Sequence, residues 1–319
     1  MTVSSARFWG VLSGLGAGAM WGLVFLAPKF VPEASPFLMS AGRYIAYGLI
    51  AALLIAPRWK RLVGLLDRKV WWALIWLSLC GNVVYYLFLV VSVHYAGVAA
   101  SALIVGAVPV VVALWGLRDK NSPPLWKVGP PIAVAALAII LIGYESVTRG
   151  KLAADASGAS VAIGLVAALI ALVLWTAYAV GNSRWMGRLA TVSSHDWSLL
   201  IGVVTGGLSL FLVPMAMLTM GDLPSNFWSR FVLVSIGIAI LASVVGNAFW
   251  NRASRLLPLT MLGQMIVFET LFAFLYGFIW EQRGPSVIEI ISMALMVISV
   301  VWCVRAHRPS AQAVADLEA

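Results

Sequence analysis

The groups able to do chemistry in this chain are few, and most lie inside long apolar stretches. Glu269 stands out first. Of twelve acidic residues it alone falls near the middle of such a stretch, in GQMIVFETLFAFLYG. A charge at mid-membrane depth costs roughly 2.5–3.5 kcal/mol on insertion scales, so it needs a reason to be there. Three roles fit: a proton-coupling site, a ligand for an ammonium group, or a structural partner of Arg43, the last being preferred. Arg43 lies about two turns into another stretch, where its long side chain is expected to reach outward to water.

Amides and phenols form the second group. Asn82 and Tyr86 are four apart in CGNVVYYLF and share a helix face, with Tyr85 beside them. Asn247 and Asn251 repeat the spacing in VGNAFWN, and both stretches carry a Gly-Asn pair, Gly81-Asn82 and Gly246-Asn247. An amide in hydrocarbon must bond to something. Interhelical hydrogen bonding explains these residues, and so does recognition of a polar solute. Gln264 sits five residues before Glu269, on a different face. The expectation is that Asn82, Tyr86, Asn247 and Gln264 supply the polar contacts of one cavity, with Trp21 and Trp175 bordering it.

Other chemistries are poorly served. Cys80 and Cys303 lie in apolar runs and read as small core residues, without a disulfide. His94, His195 and His307 have no metal-ligand spacing, and no metal or cofactor is expected. His195 adjoins Asp196, but neighbours on a helix point apart, so catalysis within the membrane is the remotest alternative.

The elements that must position these residues are membrane helices. The chain has 319 residues, 62% hydrophobic and only 10% charged, with mean hydropathy +0.98. A soluble domain carries about 25% charged residues. Ten spans are placed at roughly 8–28, 37–56, 70–93, 97–117, 126–144, 161–182, 197–219, 229–249, 258–280 and 287–304, each close to the ~20 residues a crossing needs. His94 to Gly97 must then make a tight turn. The first span follows Arg7 like a signal peptide, but its length and its likeness to the sixth keep it as a helix. Most of the 15 tryptophans, Trp72, Trp197 and Trp302 among them, are assigned to the interfacial aromatic belt. Gly10, Gly14, Gly18 and Gly22 form a smooth stripe that lets another backbone approach, for static packing or for sliding.

The two halves echo each other. GLGAGAMWGLVFLAPK around Trp21 lines up with ALIALVLWTAYAVGNS around Trp175, an offset of 154 residues. Five spans per half is an odd number, so the second unit must enter the membrane upside down. The fold expected is all-α and integral to the membrane: ten transmembrane helices as two inverted five-helix repeats, residues 1–150 and 151–319, around a central cavity. With the N-terminus inside, fifteen of the 21 basic residues fall in inner segments and five in outer ones. That bias puts both termini in the cytoplasm. It also accounts for the net charge of +9 without nucleic acid.

Three segments carry a family resemblance: the Trp21 and Trp175 repeats, SVHYAGVAASALIVGAVPVVVAL, and RLLPLTMLGQMIVFETLFAFLYGFIWEQ. With them the chain resembles the drug/metabolite transporter superfamily, in its ten-helix EamA-type branch, and most of all the YddG-type aromatic amino acid exporters. The resemblance implies a basket-like bundle in the bacterial inner membrane. It implies export of amino acids or related small metabolites by alternating access, with a monomer and the lipid bilayer as the setting. Efflux of hydrophobic or cationic drugs is the alternative. Pro109 matches the family's proline in the fourth span, whereas Glu269 stands near the place of a second proline in the ninth.

Overall fold

The computed structural model describes residues 3–116, 125–152, 158–189, 192–256 and 259–306, all helix, turn or short connection. In chain order the α-helices are α1 Val3–Phe30, α2 Pro36–Ile55, α3 Trp59–Val63, α4 Arg68–Ser78, α5 Val84–Val105, α6 Val108–Gly116 and α7 Leu125–Leu152. There follow α8 Gly158–Arg188, α9 Ser194–Ser209, α10 Val213–Leu218, α11 Phe227–Ile238, α12 Asn247–Leu256, α13 Leu259–Trp280 and α14 Val287–Ala306. Two π-helical segments, Leu79–Val83 and Ala239–Gly246, join α4 to α5 and α11 to α12.

Helix starts follow local chemistry. Ser35, Asp67 and Ser193 cap α2, α4 and α9 by accepting the backbone N–H of Leu38, Val70 and Asp196. Ser286 and Glu289 make a reciprocal capping box at the start of α14.

Among the described residues seven helical stretches are long and apolar enough to cross a membrane, and Met265–Trp280 and Val287–Cys303 are shorter apolar helices. One of the seven, Arg68–Val105, has 38 residues. At 1.5 Å per residue a single rod of that length would run to about 57 Å, nearly twice the hydrocarbon core. It is not one rod. Gly97 has φ 85° and ψ 169°, a conformation open to glycine and closed to a helix. The break falls in the His94 to Gly97 turn expected from sequence. The connection between the halves differs from expectation: α7 stays helical through Leu152, so residue 150 lies in a helix rather than a loop.

The outer surface is apolar. Leu53, Phe211, Leu218 and Leu233 are each more than 70% exposed. A water-soluble protein does not present such a surface, and the chain is an integral membrane protein. Inside, one core gathers Tyr44, Tyr86, Leu77 and Leu200 around α2, α4, α5 and α9. A second gathers Leu103, Ile142, Phe274 and Val300 around α5, α7, α13 and α14.

Packing partners come in matched sets. α1 packs on α13 and on the Ala239–Gly246 segment, while α8 packs on α5 and on the Leu79–Val83 segment. α2 packs on α9, and α7 on α14. At the α2–α9 crossing a Cβ on Gly48 would lie 2.6 Å from the Gly206 Cα, and one on Gly206 equally close to the Gly48 Cα. The glycine stripe of α1 faces α13: Gly14 meets Met265, Gly18 meets Phe268 and the Glu269 backbone, and Gly22 meets Phe272 and Ala273. Trp197 departs from its expected place. It is 2% exposed, with its indole N–H donated to Asn182 at 2.7 Å, so it belongs to the core and not to the aromatic belt.

Candidate functional site

A cavity lies where the helices of the two halves meet. Trp21 and Val24 of α1, Arg43, Tyr44 and Tyr47 of α2, Asn82 of the first π segment and Tyr85 of α5 line it from one half. Trp175 and Tyr178 of α8, Ser198 of α9, Ser243 of the second π segment, Asn247 of α12 and Glu269 of α13 line it from the other. About 70 Å³ is open to the centres of water molecules, room for roughly five waters at 10–15 Å³ each. A small amino acid matches that space, and a larger solute needs the walls to part.

The walls are aromatic and ordered. Trp175 is stacked between Tyr85 and Tyr178, with ring centroids 5.0 Å away on each side. Trp21 donates its indole N–H to the Ala242 carbonyl at 3.0 Å and tilts against Trp250. That carbonyl belongs to a π-helical segment, where the ladder of backbone bonds is rearranged and carbonyls are open to side chains. Both Gly-Asn pairs lie at these irregular segments. Gly81 leaves room for the Tyr178 ring, and Gly246 leaves room for Trp21. The amide Nδ2 of Asn82 donates to Thr205 Oγ1 at 3.3 Å, and that of Asn247 to the Ser243 carbonyl at 2.7 Å.

The two charges in the cavity do not touch. Arg43 is only 8% exposed. It does not reach outward to water: its guanidinium carbon lies 4.4 Å from the Tyr86 ring centroid and 4.9 Å from that of Tyr44. Its Nε and one Nη have no hydrogen-bond partner among the described residues. Among the described residues no ion pair joins Arg43 to Glu269. The direct structural pair preferred from sequence is therefore not formed, because two aromatic faces hold the guanidinium instead.

Of the residues expected at the site, Trp21, Asn82, Trp175, Asn247, Arg43 and Glu269 are brought together. Tyr86 is not in the lining. It is fully buried, with its ring against the Arg43 guanidinium. Gln264 lies on α13, but its side chain falls outside the described residues. Sequence reasoning missed Tyr44, Tyr47, Tyr178 and Ser198. Tyr178 carried a signal, standing one turn after Trp175, and Tyr44 and Tyr47 adjoin Arg43 in RYIAY.

Polar contacts tie helices together toward both ends of the bundle. On one, Arg58 pairs with Asp196 at 2.9 Å, and the Tyr47 hydroxyl donates to the Ser198 carbonyl. On the other, Arg230 pairs with Glu33 at 2.7 Å, and Thr219 bonds to Ser35. The Arg230 hydrogen bond holds the Glu33 carboxyl below its usual pKa of 4.5.

The chain resembles known proteins along nearly its whole length. The model of the EamA-like transporter family matches residues 8–144. Inner membrane protein YtfF of Escherichia coli (strain K12) is 34% identical over 320 residues, covering 96% of this chain and 99% of YtfF. An uncharacterized transporter of Archaeoglobus fulgidus is 23% identical over 269 residues, covering 84% of this chain and 87% of its own. A solved crystal structure with 17% sequence identity superposes with a TM-score of 0.62 over 94% of this chain and 99% of its own, which speaks to the fold alone.

Proposed function

The chain belongs to the EamA-like transporter family of the drug/metabolite transporter superfamily, and on that premise we propose that it exports amino acids, aromatic or otherwise apolar, or related small metabolites. It is a membrane transporter and not an enzyme. The observation that carries the substrate reading is the cavity between the helices, walled by stacked aromatic rings and supplied with amides and both signs of charge. Aromatic walls take an apolar side chain, and convergent polar groups fix its backbone atoms.

Alternating access is supported by the matched packing. α1 and α8 play corresponding parts, each against one π segment and one further helix, while α2 with α9 and α7 with α14 pair across the halves. In this reading Arg68–Val105 is two passes split at Gly97, and with the two shorter helices the chain crosses ten times. The halves, 1–150 and 151–319, are then inverted five-helix repeats that expose the cavity to each side in turn. The bias of basic residues puts both termini in the cytoplasm of a bacterial cell, with a monomer in the inner membrane as the working unit.

Efflux of hydrophobic cations is the second reading, and Glu269 in the cavity favours it. A cell assay separates the two. Cells expressing the chain are challenged with toxic amino-acid analogues and, separately, with cationic dyes. Protection against the analogues alone is expected. Protection against the dyes alone would replace the proposal with drug efflux.

A further inference from the structure

We propose that the cavity selects zwitterions, with Arg43 taking the carboxylate and Glu269 taking the ammonium of one and the same solute. The inference rests on the reading of this cavity as the transport site and narrows its substrate class.

The geometry asks for an anion at Arg43. The residue is 8% exposed, and among the described residues its Nε and one Nη lack a hydrogen-bond partner. An arginine buried so far inside a membrane bundle ordinarily meets a carboxylate or a set of carbonyls. Here its neighbours are the rings of Tyr44 and Tyr86, which steady the cation and leave Nε and one Nη without a partner among the described residues. Two unpaired donors on a buried guanidinium suit an anionic acceptor such as a carboxylate.

The geometry equally asks for a cation at Glu269. It lines the same cavity and makes no ion pair among the described residues. Each charge is fixed by its own surroundings. Arg43 is held against the T-shaped pair of Tyr44 and Tyr86, and the Glu269 backbone is held against α1, where a Cβ on Gly18 would come within 2.9 Å of the Glu269 nitrogen. Depth separates them as well. Phe30 packs on Trp280, so the ends of α1 and α13 share a face with the start of α2. From that face Arg43 lies about 10 Å deep and Glu269 about 16 Å deep, at 1.5 Å per residue.

One solute resolves both demands. An α-amino acid carries its ammonium and carboxylate on a single carbon, so it meets two groups that do not meet each other. A lone cation satisfies Glu269 but brings positive charge toward Arg43. A lone anion does the reverse. Neither leaves the cavity fully paired.

The test is competition for uptake by the intact protein in proteoliposomes. One series is phenylalanine, phenylalaninamide, phenethylamine and 3-phenylpropionate. A second, matched to the small cavity, is alanine, alaninamide, ethylamine and propionate. The expected result is that only the parent amino acids compete, with each truncated analogue at least about tenfold weaker. Arg43→Lys should keep part of this selectivity. Arg43→Met should lose it for the carboxylate, and Glu269→Gln for the amine. Uptake of amino acids with equal competition by the amides and amines would overturn the zwitterion while leaving amino-acid transport in place. Uptake of cations with no amino acid carried would overturn both. If no uptake is seen, the same compounds are tested as thermal stabilisers of the purified wild-type protein. Stabilisation by the parents alone supports the inference, and its absence refutes it.

Discussion

Gly246→Ala measures how tightly the cavity wall is built. A Cβ at Gly246 would stand 2.8 Å from Trp21 Nε1, 2.9 Å from its Cδ1 and 3.3 Å from Met20 Cβ. Restoring ordinary contact near 3.4 Å requires the indole to retreat about 0.6 Å from the helix. Ala242, whose carbonyl accepts the indole N–H at 3.0 Å, lies one turn earlier on that helix. The same retreat stretches the bond to about 3.6 Å, beyond useful range. Overpacking costs roughly 1–3 kcal/mol and the lost hydrogen bond about 0.5–1.5 kcal/mol, against about 0.5–1 kcal/mol gained by replacing a helical glycine. The net is a loss of about 0.5–4 kcal/mol. In a chain of this size that corresponds to a fall in melting temperature of roughly 1–6 °C. Gly237→Ala, on the preceding helix with nothing within 4 Å, is the matched control and should be neutral or mildly stabilising. The assay is thermal unfolding of purified protein, with uptake measured on the same preparations. A Gly246→Ala protein that melts and transports like Gly237→Ala would refute the reasoning.

Three further outcomes are expected. Alanine at Trp21 or Trp175 should reduce uptake at least about tenfold, equivalent to 1.4 kcal/mol. The same change at Trp72 or Trp302, 59% and 44% exposed, should reduce it little, and equal effects at all four would make the cavity pair ordinary packing residues. Glu269→Gln should lose discrimination between an amino acid and its deaminated analogue while retaining measurable uptake, and leave the melting temperature within about 2 °C, because no ion pair is broken. A drop matching the roughly 3–5 kcal/mol of a severed buried pair would restore the structural role. The Glu33–Arg230 pair should persist from neutral pH through the ordinary carboxylate range, because the Glu33 pKa is depressed below 4.5; its contribution is lost only as pH falls through that lowered value. Transport should therefore respond to pH between 5 and 8 identically in wild type and Glu33→Gln, and a flattened profile in the variant would contradict this.

Much of the site was readable because membrane helices make polar residues expensive. Glu269, Asn82 and Asn247 announced themselves as costly exceptions, and the Trp21 and Trp175 repeats matched by simple alignment of the halves. All of them line the cavity. What escaped has a common cause. A helix apolar on every side gives no periodicity from which to tell the core face from the lipid face. Arg43 was therefore expected to reach water, Trp197 was placed in the aromatic belt, and Tyr44 and Tyr47 went unremarked. The π segments were equally invisible, since Leu79–Val83 and Ala239–Gly246 differ from α-helix in hydrogen bonding and not in composition. The Ser35 and Ser193 caps and the Gly48–Gly206 crossing share one offset along α2 and α9, a repeat too sparse to notice until the helices are seen packed together.

Exchange across a sealed bilayer tests the central claim most directly. Purified protein is reconstituted into vesicles preloaded with unlabelled phenylalanine or alanine, and entry of the labelled amino acid is followed against protein-free vesicles. The account predicts rapid labelled entry that requires the internal amino acid and falls at least about tenfold with Trp175→Ala, as a shared cavity open to each side in turn demands. Entry no faster than in protein-free vesicles for every amino acid tried, with brisk exchange of a hydrophobic cation instead, would contradict it.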